Sequence, residues 1–215
     1  PPLLGVFTAN VDTAVNVALD TPLHFGETVT VFGQGTVGLL AAQILKLAGA
    51  GSVLAVEPVA RRRELSRRAG IEQVLAPETR LPERIRELTA GRGADVSIEA
   101  SGAPAALQQA IDCVADEGTV VAVSWFGAKP VSLMLGERFH RGRIRLRSSQ
   151  VGHIDPALGP RWDRGRRLAL ALSLLPRLRL EDLISHRLPF AEAAAAYQLI
   201  DEHPDQVSQL VLTYG

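Results

Sequence analysis

The sequence has little cysteine and no excess charge of either sign. One cysteine, Cys113, occurs among 215 residues, and 23 basic side chains balance 23 acidic ones. A single cysteine forms no internal disulfide and leaves no CxxC pair for a structural zinc, so we expect a reducing, cytoplasmic setting. A formal net charge of zero provides no global field to attract nucleic acid or an anionic membrane. We therefore expect neither of them as a partner.

Long apolar runs are also absent from the sequence. No stretch is long enough to span a bilayer, and no signal peptide is recognisable. The sequence begins with Pro1 and Pro2 rather than with methionine, which is typical of a cut or processed end. The chain length allows one sizeable core, or one domain with a smaller appended lobe.

Over the first 150 residues, short β-rich runs alternate with segments of helical periodicity. We predict strands at 28–32, 52–56, 73–75, 95–99, 119–124 and 144–147. We predict helices at 8–19, 39–48, 59–69, 82–89 and 104–115. Several of the strands are continuous apolar runs, which is typical of strands that helices cover on both faces. The pattern predicts an α/β fold with a doubly wound parallel sheet, the Rossmann fold.

After Gln150 this alternation stops. A loop rich in proline and glycine leads to a predicted helix at 163–175, the segment SHRLPF, an alanine-rich helix at 192–200 and a last strand at 209–213. We therefore divide the chain into a dinucleotide-binding domain, 1–150, and a small C-terminal segment of helices and a strand, 151–215.

A glycine-rich turn carries the strongest functional signal. The first strand, TVTVF, runs directly into GQGTVG, a helix follows, and the second strand ends in Glu57, nineteen positions after Gly38. This context is typical of a dinucleotide-binding turn. Candidate cofactor-binding residues are therefore Gly33, Gln34, Gly35, Thr36, Val37, Gly38 and Glu57.

Each glycine of the turn has a proposed physical role. Gly33 permits the tight turn, Gly35 lets the backbone approach a pyrophosphate, and Gly38 lets the helix pack against the strand. The helix N-terminus offers N–H groups and a partial positive charge to the phosphates, and Glu57 would accept hydrogen bonds from the adenosine ribose hydroxyls. The alternative is a purely structural turn in an α/β protein that binds no dinucleotide.

The choice between NAD and NADP depends on the charges around the second strand's end. The carboxylate of Glu57 would repel the 2′-phosphate of NADP, which favours NAD. Arg61, Arg62 and Arg63 follow closely and could attract that phosphate, or could simply form a solvated helix start. We expect NAD.

Residues after the fourth and fifth strands are further candidates for the cofactor cleft. In a doubly wound sheet, ligands lie at the carboxyl ends of the strands. Ser101, Gly102, Val123 and Ser124 occupy such positions. They either line the cleft or form ordinary turns between strand and loop.

Several segments resemble one known family. TVTVFGQGTVGLLAAQILKLAGA, VLAVEP, GADVSIEASG, GTVVAVS and the ending ISHRLPFAEAAAAYQLIDE with QLVLTY are similar to the cofactor-binding part of zinc-type medium-chain alcohol dehydrogenases. Within that family, RFHRGRIRLRSSQVG and RWDRGRRLALAL most resemble the bacteriochlorophyllide dehydrogenase branch. The resemblance implies hydride transfer between a secondary alcohol or ketone and the nicotinamide ring. It also places Arg62 near the adenosine ribose.

The sequence departs from this family in two respects. The N-terminal catalytic domain of the family, with most zinc ligands and the proton relay, is not part of it. The segment GVFTAN, where family members often place a zinc ligand, contains no Cys, His, Asp or Glu. We therefore expect no zinc in this chain and name no catalytic residue. The alternative to an oxidoreductase domain is a non-catalytic dinucleotide-binding module or remnant.

The resemblance also bears on partners. Family members form a dimer by sheet extension near the segment that contains Trp125 and Phe126, which otherwise could pack on a ligand. We predict a homodimer. In the family, the last strand packs against the catalytic domain, so residues 210–212 are expected to be exposed or paired with another chain.

Other polar residues have both a functional and a structural interpretation. Arg141, Arg143, Arg145 and Arg147 alternate and would all point to one side of a strand, as a protected sheet edge or as an anion site. Cys113 is expected in the core rather than as a nucleophile. Of the five histidines (His24, His140, His153, His186 and His203), His153 alone is placed near the cleft mouth, and a surface position in a loop is the simpler interpretation.

Overall fold

The computed structural model describes residues 2–214. Its helices are α1 (Thr8–Asp20), α2 (Thr36–Leu47), α3 (Ala60–Arg68), α4 (Leu81–Leu88), α5 (Pro104–Cys113), α6 (Arg164–Leu174) and α7 (Ala193–Glu202). Its strands are β1 (Thr28–Phe32), β2 (Ser52–Val56), β3 (Gln73–Leu75), β4 (Ala94–Glu99), β5 (Val114–Ala122), β6 (Arg145–Ser148), β7 (Ile184–Pro189) and β8 (Gln209–Thr213). No helix in this part of the chain is long and apolar enough to cross a membrane.

Six strands form one parallel sheet in the order β3-β2-β1-β4-β5-β6. The chain adds strands in one direction up to β3 and then returns to continue on the other side of β1. This reversal between β1 and β4 is the topological switch point at which doubly wound folds bind ligands. The predicted fold class is confirmed.

Helical layers cover both faces of the sheet, so the central strands are buried on both faces. Val29 and Val31 belong to a core cluster that also contains side chains of α1, α2 and α6. Phe32 and Val56 belong to a second cluster with side chains of α4 and α5. Alternate residues of a strand point to opposite faces, so a strand between two helical layers has no solvent-exposed face.

The first core cluster continues past residue 150. Ala171 and Leu174 of α6 and Leu183 before β7 are buried in it, and α6 packs on α1. Strands β7 and β8 form a separate two-stranded parallel sheet. The division at residues 150 and 151 stays a prediction of domain organisation, and the packing of α6 runs across it.

Several predicted boundaries differ from the observed ones. The second helix begins at Thr36, inside the glycine-rich turn, rather than at Leu39. The fifth helix ends at Cys113, and β5 begins at Val114 instead of Thr119. The segment SHRLPF, to which no element was assigned, lies largely within β7.

The prediction that four arginines share one side of a strand is wrong. Only Arg145 and Arg147 lie on β6, while Arg143 adopts a φ of 51° in the preceding turn. All four also have carboxylate partners: Glu137 for Arg141, Glu117 for Arg143 and Arg145, and Asp20 with Asp155 for Arg147. These pairs leave no unpaired arginine cluster for an anion, whereas the position of β6 at the sheet edge agrees with the structural interpretation.

The remaining single-residue predictions can be placed directly. Cys113 is fully buried, and burial raises the pKa of its thiol to about 12, so it is a core residue. His153 is exposed in the loop after β6. Trp125 is 92% exposed, whereas Phe126 packs against the second core cluster.

Candidate functional site

The candidate residues meet at the carboxyl ends of β1, β2, β4 and β5. Phe32 of β1 pairs with Val56 of β2 and with Glu99 of β4, and Glu99 pairs with Ala122 of β5. The residues that follow these four positions therefore lie along one edge of the sheet. Gly33, Glu57, Ser101 and Val123 come together there although 90 positions separate the first from the last.

Packing within the protein accounts for Gly33 and Gly38. Gly33 has a φ of 88°, and a Cβ atom there would lie 2.8 Å from the backbone of Ser101. A Cβ atom on Gly38 would lie 2.1 Å from the carbonyl oxygen of Gly33. Any larger residue at either position would separate the turn from β4 or α2 from β1.

Gly35 differs from its two neighbours in the motif. Its φ is −65° and its ψ is −178°, values that any residue adopts, and a Cβ atom there would meet no protein atom within 4 Å. Neither backbone strain nor internal packing therefore requires glycine at this position. Gly35 is the N-cap of α2, and no side chain caps this end of the helix.

Glu57 is buried and bonded to the turn itself. Its side chain is 2% exposed, and its two carboxylate oxygens accept hydrogen bonds from the N–H groups of Gln34 at 2.7 Å and Val59 at 2.8 Å. From the sequence, the ribose hydroxyls were its expected partners. In the structure, its carboxylate connects the end of β2 to the glycine-rich turn.

Gln34 is directed into the protein rather than toward the cleft. Its side-chain amide donates to the carbonyl oxygens of Val31 at 3.1 Å and Gly33 at 3.0 Å, and it accepts from Ser66 at 3.2 Å. Since Glu57 binds its backbone N–H, both the amide and the N–H of Gln34 stabilise the turn.

The three arginines after β2 bind backbone carbonyl groups. Arg62 donates to Pro204 and to Val207, the latter at 3.2 Å, and Arg61 donates to Gln206 at 2.8 Å. Arg63 donates to the carbonyl oxygens of Glu57 and Pro58. The first two arginines therefore hold the loop 204–208 against α3.

The same loop contacts the glycine-rich turn. The hydroxyl of Thr36, the first residue of α2, donates to the carbonyl oxygen of Ser208 at 2.8 Å. The C-terminal segment thus flanks the start of α2. Sequence reasoning missed this contact, because partners 172 positions apart leave no local signal.

Glu99 organises the turn after β4 and was not identified from the sequence. It is fully buried, and one oxygen accepts from the N–H and hydroxyl of Ser101 and from the N–H of Gly102, at 2.6–2.9 Å. Gly102 has a φ of 72°, and its N–H also donates to Ser124 Oγ at 2.8 Å. Ser101, Gly102 and Ser124 are therefore joined in one hydrogen-bonded turn. The partly buried Val123 adjoins it, with its N–H on the carbonyl oxygen of Glu99.

A small apolar cavity of about 160 Å³ opens beside this turn, and we refer to it as the slot. It lies between the end of β2 and the start of α5. Its carbon-lined walls include Phe32, Val56, Pro58, Pro77, Ala103 and Ala106. The polar side chains that line it are those of Ser101 and Gln109. An apolar cavity of about 150 Å³ accommodates an aromatic ring such as benzene, so the slot has the size of a ring.

Residues 2–214 contain no group of three or more His, Cys, Asp or Glu side chains that could hold a metal ion. These donors do not fit a catalytic zinc, which needs three protein ligands. No residue of this chain is therefore assigned a role as a zinc ligand.

The fold and the turn define the class of protein. A six-stranded doubly wound sheet with a glycine-rich turn between β1 and α2 is the architecture of dinucleotide-binding domains. The chain belongs to the zinc-binding dehydrogenase family, whose family model matches residues 36–162. This match confirms the resemblance to zinc-type dehydrogenases, while the narrower resemblance to the bacteriochlorophyllide branch stays a prediction.

Individual relatives agree with this assignment. The D-guloside 3-dehydrogenase of Escherichia coli K12 is 35% identical over 207 residues, which cover 94% of this chain and 59% of that protein. Alcohol dehydrogenase TADH from Thermus sp. ATN1 has a TM-score of 0.80 and 26% identity over 100% of this chain and 59% of its own. A short chain alcohol dehydrogenase from Escherichia coli CFT073, solved with NADH, shares the fold, with a TM-score of 0.78 and 19% identity over 97% and 58% of the two chains. This chain spans about three fifths of the length of these relatives.

Proposed function

We propose that this chain is the NAD(H)-binding part of an alcohol-dehydrogenase-type oxidoreductase. The reaction is hydride transfer between a secondary alcohol or ketone and the nicotinamide ring. The observation that carries the proposal is Gly35, a glycine that neither strain nor packing within the protein requires. A phosphate that approaches the backbone closely would require it.

The residues of the cleft fit the parts of a dinucleotide. The pyrophosphate would lie over Gly35 at the start of α2, where uncapped N–H groups and the helix dipole favour an anion. The adenine would enter the slot. The nicotinamide would lie toward the ends of β4 and β5, near Gly102, Val123 and Ser124. The cofactor supplies the hydride chemistry, and the chain binds and orients it.

The charges near β2 support NAD rather than NADP. Arg61, Arg62 and Arg63 donate to carbonyl groups of the protein, so a 2′-phosphate would have to displace these hydrogen bonds. Each oxygen of Glu57 accepts one hydrogen bond within the protein and has a further lone pair for a ribose hydroxyl. We propose that the carboxylate disfavours the 2′-phosphate by repulsion.

The experiment that tests this proposal is a calorimetric titration of the purified chain with NADH and, in parallel, with NADPH. We expect NADH to bind at least tenfold more tightly than NADPH, a difference of about 1.4 kcal/mol in binding free energy. Equal or tighter binding of NADPH would refute the role of Glu57. If neither NADH nor NADPH binds, dinucleotide binding by this chain is refuted.

The alternative is a non-catalytic dinucleotide-binding module. The absence of a zinc-ligand set in residues 2–214 favours it. Turnover of secondary alcohols with NAD by the 215-residue chain alone would exclude this alternative. The relative that acts on position 3 of a guloside is the reason to begin with sugar-type secondary alcohols.

The oligomeric state of the chain and its cellular location are two further points of the proposal. Strand β6 is an open edge of the sheet, and Leu146 on it is 39% exposed, with Trp125 92% exposed after β5. We propose that a second copy of the chain pairs at this edge to form a homodimer. The cytoplasmic setting stays a prediction.

A further inference from the structure

The slot contains one polar side chain with free hydrogen-bonding groups. The hydroxyl of Ser101 donates to Glu99 at 2.6 Å and accepts from the N–H of Ala103 at 3.1 Å. The half-buried Gln109 also lines the slot, and its amide has no hydrogen-bond partner among residues 2–214. Gln109 is therefore a residue of the slot whose amide donor and acceptor are not used by protein groups.

The neighbouring glutamine, Gln108, does have protein partners, so an amide without a partner is not a general property of the glutamines in α5. Gln108 donates to Asp112 at 2.9 Å and accepts from the N–H of Met134 at 2.8 Å. Both ends of its amide are bonded to protein groups. The two adjacent glutamines of α5 thus differ, because Gln108 bonds to the loop that contains Met134, whereas Gln109 lines an apolar cavity.

We propose that Gln109 selects the base of the dinucleotide by reading the Hoogsteen edge of adenine. A primary amide presents an acceptor and a donor side by side, which match the 6-amino group and N7 of adenine. The carbon walls formed by Phe32, Pro58 and Ala106 suit the flat faces of the ring. Gln109 would accept from the 6-amino group and donate to N7. This inference rests on the proposed function, because it requires the dinucleotide to bind in this cleft.

A base without the amino group distinguishes this role from simple burial. Hypoxanthine has an oxygen at position 6, so its Hoogsteen edge carries two acceptors. In either orientation the Gln109 amide then satisfies only one of its two groups. Hydrophobic contact alone would treat the two bases alike, since they have nearly the same shape.

The test compares the binding of NADH with that of its hypoxanthine analogue, reduced nicotinamide hypoxanthine dinucleotide, by calorimetry. For the unmodified chain we expect NADH to bind about tenfold more tightly, within the range for a glutamine–adenine pair. Gln109→Leu should weaken NADH binding and bring the ratio of the two affinities close to one. Gln198→Leu, at an exposed position of α7, is the control and should leave the ratio unchanged.

A second variant keeps the proposal testable if Gln109→Leu folds poorly. Gln109→Glu retains the acceptor and loses the donor, so NADH should bind more weakly while its preference over the analogue persists. If NADH binds but Gln109→Leu leaves the ratio at the unmodified value, or Gln109→Glu binds NADH as tightly as the unmodified chain does, the role of Gln109 is overturned and the proposed function stands. If the unmodified chain binds neither dinucleotide, both proposals are overturned together.

Discussion

Replacing Gly35 with alanine separates ligand binding from folding more cleanly than any other change in the glycine-rich turn. The added Cβ atom would meet no protein atom within 4 Å, and the backbone at Gly35 suits any residue. Removing glycine flexibility from the unfolded chain stabilises a protein by about 0.4–1 kcal/mol. Alanine is a poorer N-cap than glycine, which costs a similar amount. These effects oppose each other, so the free energy of unfolding should change by less than about 1 kcal/mol.

The effect of Gly35→Ala on binding should be much larger. A methyl group over the start of α2 would keep the pyrophosphate away from the N–H groups that are proposed to hold it. We expect NADH to bind at least tenfold more weakly, a loss of about 1.4 kcal/mol or more. The assays are urea unfolding for stability and calorimetric titration for affinity.

Gly136→Ala is the matched control for Gly35→Ala. A Cβ atom on Gly136 would also meet no protein atom within 4 Å, and Gly136 lies in the short helical segment Leu135–Phe139, outside the glycine-rich turn. The NADH affinity of the Gly136→Ala variant should equal that of the unmodified chain. Unchanged NADH binding by Gly35→Ala would refute close contact between this backbone and a phosphate. Unfolding of Gly35→Ala would refute the packing argument.

Two further predictions concern the core. Gly38→Ala should destabilise the protein by about 3 kcal/mol, because the added Cβ atom would lie 2.1 Å from the carbonyl oxygen of Gly33. Urea unfolding measures the change in the free energy of unfolding, and a loss below about 1 kcal/mol would contradict the prediction. The Cys113 thiol should resist a thiol-specific reagent in the native protein at pH 8, because burial raises its pKa from 9.0 to about 12. In the unfolded chain the thiol ionises above its pKa of 9.0, so its contribution to stability is complete below that pH and is lost as the pH rises toward 12. A Cys113→Ala variant should not show this part of the decrease in stability at high pH. Rapid modification of the thiol in the native protein would show that the thiol is accessible, against the prediction.

The sheet could be predicted because its signals are local. Strands such as 28–32 are short runs of β-branched and aromatic residues, and the turn after this strand has a recognisable order of glycines. The start of β5 was missed for a physical reason. Residues 114–117 read VADE, which suits the end of a helix, and β5 gains apolar character only from Thr119 onward. The hydrogen bonds that extend it depend on the neighbouring strand, since Ala94 pairs with Val114.

The candidate site could be predicted in position but not in its internal bonding. Glu57 was identified from its distance to the glycines, but its hydrogen bond to the N–H of Gln34 depends on how β2 and the turn are placed in space. Arg62 was assigned to the ribose, and its contacts with Pro204 and Val207 join segments 142 and 145 positions apart. Gln109 gave no signal in the sequence, because a half-buried glutamine on a helix is ordinary until a cavity forms beside it.

The most direct test of the proposed function is whether the unmodified 215-residue chain binds NADH. We predict saturable, one-to-one binding in a calorimetric titration, with NADPH binding at least tenfold more weakly, which corresponds to about 1.4 kcal/mol. A titration in which neither dinucleotide binds would contradict the proposal that this chain is a dinucleotide-binding domain. It would show that the glycine-rich turn serves only the structure of the sheet in this chain.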